Sequence, residues 1–183
     1  YAENPNDANL YGLALAYKKN NNFNEGLASL DKLLEKYPKN LVINTTKVEF
    51  LSYFNKFNDA LDLANKFLEI SPKNYPLSIS KSQILLNMGQ YFESEEIIRD
   101  QLLRKNDSPE LWFMLSETQK TSQNIVGYHQ SRAEYFLLLG QDEKALNQLE
   151  FALQLTQNNF QVSDRIMTKI IEIKKSLQNS RGL

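Results

Sequence analysis

Pro38-Lys39-Asn40 and Pro72-Lys73-Asn74 are one tripeptide written twice, 34 residues apart. Other columns keep the same spacing: Tyr17, Leu51 and Leu85; Phe23, Phe57 and Tyr91; and the small residues Gly26, Ala60 and Ser94. Asn21, Asn55 and Gly89 fall on it too, each closing an apolar-periodic segment. Asn and Gly enter the left-handed conformation cheaply, which is what a helix needs just past its end. Between these markers Leu10, Leu13, Ala14 and Tyr17 follow helical spacing, and Gly26, Leu27, Leu30, Leu33 and Leu34 repeat it. Each unit therefore reads as two helices and a short turn. The aromatic opens the second helix, the small residue lets the backbones approach, and proline ends the pair.

This is the tetratricopeptide-repeat (TPR) pattern. The sequence predicts an all-α, TPR-type α-solenoid of about ten antiparallel helices in one domain, 1–183. Its repeats are read at about 7–40, 41–74 and 75–108, then an extra helix 109–121, a repeat 125–158 and a capping helix 160–178. The second unit departs from the pattern at Asn44 and Lys47, which occupy normally apolar positions. Ser108-Pro109-Glu110 is a strong helix start. Yet Gly140 follows Gly89 by 51 residues, one and a half periods. The count therefore expects an unpartnered helix and a half-repeat phase slip near residues 121–128. That joint reads either as irregular packing or as a pocket lined by Trp112, Phe113, Tyr128 and Tyr135, with Gly127 permitting a close approach. Ile166, Ile170, Ile173 and Leu177 give the cap one apolar stripe, with a polar outer face expected and fraying from Asn179.

Composition bounds the chemistry. Lys+Arg number 21 against 22 Asp+Glu, a net charge of -1, whereas a nucleic-acid binder needs a basic stripe to displace phosphate counterions. No apolar run approaches the length that spans a bilayer. There is no basic-then-apolar leader at Tyr1, and the missing initiator Met predicts a piece of something longer. Cysteine is absent and histidine occurs once, at His129, so no catalytic or metal residue is assigned. Packing or hydrogen bonding is the expected use of His129, and inter-helix pairing that of Arg132 and Glu134.

A TPR array usually binds through first-helix positions on its concave face. That register selects Tyr11, Leu15, Lys18, Glu49, Gln83, Phe113 and Glu117. The converging Lys, Asn and Arg of a two-carboxylate clamp are missing from it. The surface is mixed and partly apolar, suited to extended polypeptide, although Leu15, Ile79 and Leu86 read equally well as core.

Two segments carry a narrower resemblance. One is Tyr11-Gly-Leu-Ala-Leu-Ala16, directly after Asn4-Pro5-Asn6-Asp7. The other runs from His129 through Arg132-Ala-Glu-Tyr135 to Gly140, followed by Ala145, Leu149 and Ala152-Leu153. With the early repeats, they resemble the C-terminal TPR domain of BepA-type periplasmic zinc metalloproteases, over roughly residues 5–175. The resemblance implies an upstream catalytic domain with a zinc-binding His-Glu-x-x-His helix. No position here matches that motif, so zinc belongs to the parent protein. It also implies a periplasmic location and three protein partners: the outer-membrane β-barrel assembly machinery, unfolded outer-membrane proteins and the protein's own protease domain. The module would present clients for assembly or degradation, a chaperone arm of a hydrolase. The alternative is a stand-alone TPR adaptor without enzymatic activity.

Overall fold

The computed structural model describes residues 6–156 and 158–181, with side chains to residue 179. Among these residues there are ten helices and no strand. The chain divides into two compact units after Gln90.

The first unit holds α1 (Asp7–Lys19), α2 (Phe23–Lys36), α3 (Leu41–Tyr53), α4 (Phe57–Ile70) and α5 (Tyr75–Asn87). α1, α3 and α5 start where an asparagine caps them. The Asn6, Asn40 and Asn74 side chains accept hydrogen bonds from backbone N–H groups of the first turns that follow. The turns inside the hairpins close on Asn21 and Asn55, both at φ 57°, and α5 closes on Gly89 at φ 77°. The small-residue column does what its size allows. A Cβ placed on Gly26 would stand 2.4 Å from Phe50 Cζ, so α2 meets the α3 side chain without room for a methyl group. Leu10, Ala14, Leu30, Leu33, Ile43 and Phe50 form one apolar cluster, and Val48, Leu51, Ala60, Ala64, Phe67, Leu77 and Ile84 the next.

The two departures in α3 are resolved locally. Asn44 is 2% exposed and donates Nδ2 to the carbonyls of Pro38 and Asn40, satisfying groups at the α2–α3 connection. Lys47 reaches Asp31 of α2 at 2.6 Å. Asn44 ties the connection to the start of α3 and Lys47 links α3 to α2, so the pattern bends without breaking.

At the entrance to α1, Asp7 accepts hydrogen bonds from Lys36 Nζ (2.6 Å) and Tyr37 Oη (2.7 Å). These two donors, with the Lys36 charge, hold the Asp7 carboxyl below its ordinary 3.8; the same bond, donated by Lys36 to Asp7, and then the Tyr37 hydroxyl beside it raise Lys36 above 10.5. A depressed carboxyl stabilises above its unfolded pKa and stops doing so as pH falls through the folded one. The raised amine contributes below 10.5 and loses this as pH climbs through its folded value. In an NMR titration, the Asp7 carboxyl carbon is expected to titrate below 3.8, and Lys36→Met should move it back up.

The second unit holds α6 (Tyr91–Arg104), α7 (Pro109–Thr121), α8 (Ile125–Leu138), α9 (Asp142–Leu155) and α10 (Phe160–Arg181). The anticipated slip takes an unanticipated form. No spacing is lost: first helices begin at 7, 41, 75 and 109, and second helices at 23, 57, 91 and 125. Gln123, at φ 62°, closes α7 where Asn21, Asn55 and Gly89 close its predecessors. What changes is the buried face. The fourth, eighth and eleventh residues are buried in α2 (Gly26, Leu30, Leu33), α4 (Ala60, Ala64, Phe67), α6 (Ser94, Ile98, Gln101) and α9 (Ala145, Leu149, Ala152). α8 buries Gly127, Ser131 and Ala133 instead.

Thus α8 stands in a second helix's place after α7 and a first helix's place before α9, and it packs closely on both. α10 confirms the second role. Its Lys169 pairs with Glu134 of α8 across 35 residues, the separation at which Tyr11 of α1 bonds Thr46 of α3. The expectation of an unpartnered helix at 109–121 is therefore corrected: α7 has α8, and α8 is shared. Gly127 permits this, since a Cβ there would lie 2.9 Å from Gln119 Cδ of α7.

The cap also differs in detail. Ile166, Ile170 and Ile173 are buried against Ala133, Ala145, Leu149 and Ala152. Its outer face is mixed, because Phe160, Met167 and Ile171 are exposed among the charges. The helix runs through Arg181 rather than ending near 178. Gly182 and Leu183, where fraying was also expected, lie outside the described residues.

Candidate functional site

The register-selected residues divide between the units, and each is placed within its own. In the first, the Tyr11 hydroxyl is tied to Thr46 at 2.7 Å, and the Tyr11 ring lines a shallow depression of about 400 Å³ with Leu33, Tyr37 and Ile43. Leu15 is 38% exposed, so it is surface rather than core. Lys18 sits over the Tyr53 ring at 5.2 Å, a cation–π contact. Glu49 is exposed, and Gln83 bonds Asn87 one turn on. In the second unit Glu117 is half-buried and Phe113 is exposed.

The four aromatics expected in one pocket separate into three places. Consecutive helical residues point about 100° apart, so Trp112 and Phe113 cannot face the same space. Phe113 and Tyr135 do meet, with ring centroids 5.5 Å apart. They line a trough of about 820 Å³ together with Met114, Leu139 and the α7 start at Ser108-Pro109. Lys105, Asp107 and Glu110 stand at its polar edge. Trp112 faces a different cavity, its Nε1 donating to the Asn106 carbonyl at 2.8 Å. Tyr128 packs on His129 and under Lys120.

Arg132 backs the trough, a role that sequence reading did not assign. Its guanidinium lies 5.0, 5.1 and 5.2 Å from the Phe113, Tyr135 and Phe136 ring centroids, and Nη1 is buried without a hydrogen-bond partner. Three rings around one cation hold Phe113 and Tyr135 in place as a rigid wall. The spacing of Arg132, Tyr135 and Phe136 on one helix was visible, but Phe113 comes from α7. His129 is as expected a hydrogen-bonding residue, its Nδ1 joined to Gln148 Oε1 at 2.8 Å. Among the described residues no group of three His, Cys, Asp or Glu could hold a metal ion. No described helix is long and apolar enough to cross a membrane.

Paired antiparallel helices on a 34-residue period define a TPR-type α-solenoid. Solved structures agree on the fold. MamA from Desulfovibrio magneticus RS-1 (residues 41 to the end) superposes with a TM-score of 0.63 at 14% identity, covering 94% of this chain and 97% of that one. A tetratricopeptide-repeat protein from Parabacteroides merdae gives 0.57 at 15%, covering 91% and 71%. The thermophilic TPR protein TTC0263 of Thermus thermophilus gives 0.54 at 13%, covering 91% and 100%. At such identities the likeness speaks to fold alone. No protein-family model matches the sequence, and no curated protein matches it either.

Proposed function

We propose that this chain is a polypeptide-binding TPR module whose second unit takes an extended, partly apolar segment in the Phe113–Tyr135 trough. The observation that carries this is an apolar wall held rigid by Arg132 and left open above. Rigid aromatics at an open surface are the residues that dominate protein-binding energies. A fluorescent peptide copied from an unfolded outer-membrane β-strand should bind the whole chain. Phe113→Ala and Tyr135→Ala should each weaken it about tenfold, on the scale of an interface hot spot. Equal anisotropy curves for both variants and the parent would sink the assignment.

The narrower form of the proposal makes the module the recognition arm of a periplasmic zinc metalloprotease, docking on the outer-membrane assembly machinery and delivering misfolded clients for assembly or cleavage. Its support is the two sequence segments at 11–16 and 129–140; zinc and catalysis would belong to another part of the polypeptide. Sequencing the reading frame upstream of Tyr1 decides it. A His-Glu-x-x-His helix there supports the protease arm, and a frame without one leaves the stand-alone adaptor.

A further inference from the structure

The cavity faced by Trp112 has a character unlike the trough. Five helices supply its walls: Arg99 from α6, Trp112 and Gln119 from α7, Gly127, Gln130, Ser131 and Glu134 from α8, Leu149 from α9, and Arg165, Ile166 and Lys169 from α10. Its volume is about 280 Å³, at or just below the small end of ligand pockets and suited to a molecule the size of one amino acid. Three cations line it against one carboxylate.

The polar groups are already organised. Ser131 Oγ donates to Gln119 Oε1 at 2.7 Å, and Gln119 Nε2 donates to Glu95 Oε1 at 3.0 Å. Glu95 in turn receives Arg99 at 2.6 and 2.9 Å. Gln119 and Ser131 are 1% and 3% exposed, so this relay is fixed by packing. Lys169 is held by Glu134 at 3.1 Å. Of the three cations, Arg165 alone has no carboxylate partner among the described residues, and its Nε donates to the Gln161 carbonyl of its own helix at 3.3 Å.

We propose that this cavity binds a small organic monocarboxylate, its acid group on Arg165 and its apolar body against Trp112. Guanidinium recognises carboxylate by paired, charge-assisted hydrogen bonds. The Trp112 ring, held by its Nε1 bond, gives the body a flat apolar wall. A single charge fits best, because Glu134 stands in the same cavity and opposes a dianion. The site is separate from the Phe113–Tyr135 trough and stands whether or not the trough binds polypeptide.

Trp112 is the single tryptophan of the chain, so its fluorescence reports this cavity directly. The whole chain titrated with N-acetylphenylalanine should show a saturable emission change in the millimolar range, and the neutral amide of that compound should show none. Arg165→Gln should weaken the acid at least tenfold, while Phe113→Ala leaves it unchanged. Arg165 is exposed, so circular dichroism of the variant should match the parent. If it does not, the acid–amide comparison on the parent chain still decides. Equal response to acid and amide, no saturable response, or full retention in a folded Arg165→Gln would overturn the proposal. Tighter binding of phenyl phosphate would overturn the monoanion assignment. Tighter binding of Ala-Ala-Phe would overturn the free-acid assignment in favour of a peptide end.

Discussion

Phe50→Ala should cost the first unit about 3–5 kcal/mol, read as a shift in a urea transition. Phe50 is fully buried, with Phe23 and Phe54 ring centroids at 5.8 and 4.9 Å, and its edge fills the space that Gly26 leaves empty. Removing the ring leaves a cavity that two other aromatics cannot close without leaving their own partners. Gly26→Ala tests the same contact from the other side. Alone it should lose about 1–3 kcal/mol, because the methyl group lands on the Phe50 ring. In the Phe50→Ala background the added methyl enters vacated space, so the double variant should lose less than the two single losses combined. Simple additivity would show that α2 does not rest on Phe50.

Ile166→Ala is the second large effect, about 2–5 kcal/mol for a buried large-to-small change. Ile166 is 1% exposed and packs in the cluster that Ala133, Ala145, Leu149 and Ala152 form beneath α10. Three of these four are alanines, whose short side chains cannot move to fill the gap. Lys169→Ala, one turn along, loses an ion pair about a third exposed at either end and should cost no more than about 1 kcal/mol. Equal losses for the two would mean that charge, not burial, docks the last helix.

The fold was legible because its period is written in residues with a narrow conformational role. Asn21, Asn55 and Gly89 announce a left-handed turn by their type; Gln123 adopts the same backbone at φ 62° without announcing it. That one silent position made Gly140 look like the next member of the series, and so made α7 look unpartnered. Asn44 and Lys47 read as defects because hydropathy registers their polarity and not the carbonyls and the Asp31 carboxylate that receive them. The sites were legible one residue at a time. Phe113, Tyr135 and Trp112 were all singled out, but adjacency in sequence grouped Trp112 with Phe113, which the helix turns apart. The cavity on Arg99, Trp112 and Arg165 joins residues from opposite ends of the second unit, and no local pattern ties them together.

The sharing of α8 has a dynamic corollary. A hairpin at the end of an array can loosen at its outer edge while its neighbours keep their cores. A helix flanked on both sides has no such edge, and opening either flank strips the small residues Gly127, Ser131 and Ala133 of a partner. The stretch from Pro109 to Leu155 should therefore open as one cooperative block, its amides exchanging with solvent together. A protease or a pulling force would meet three helices there at once.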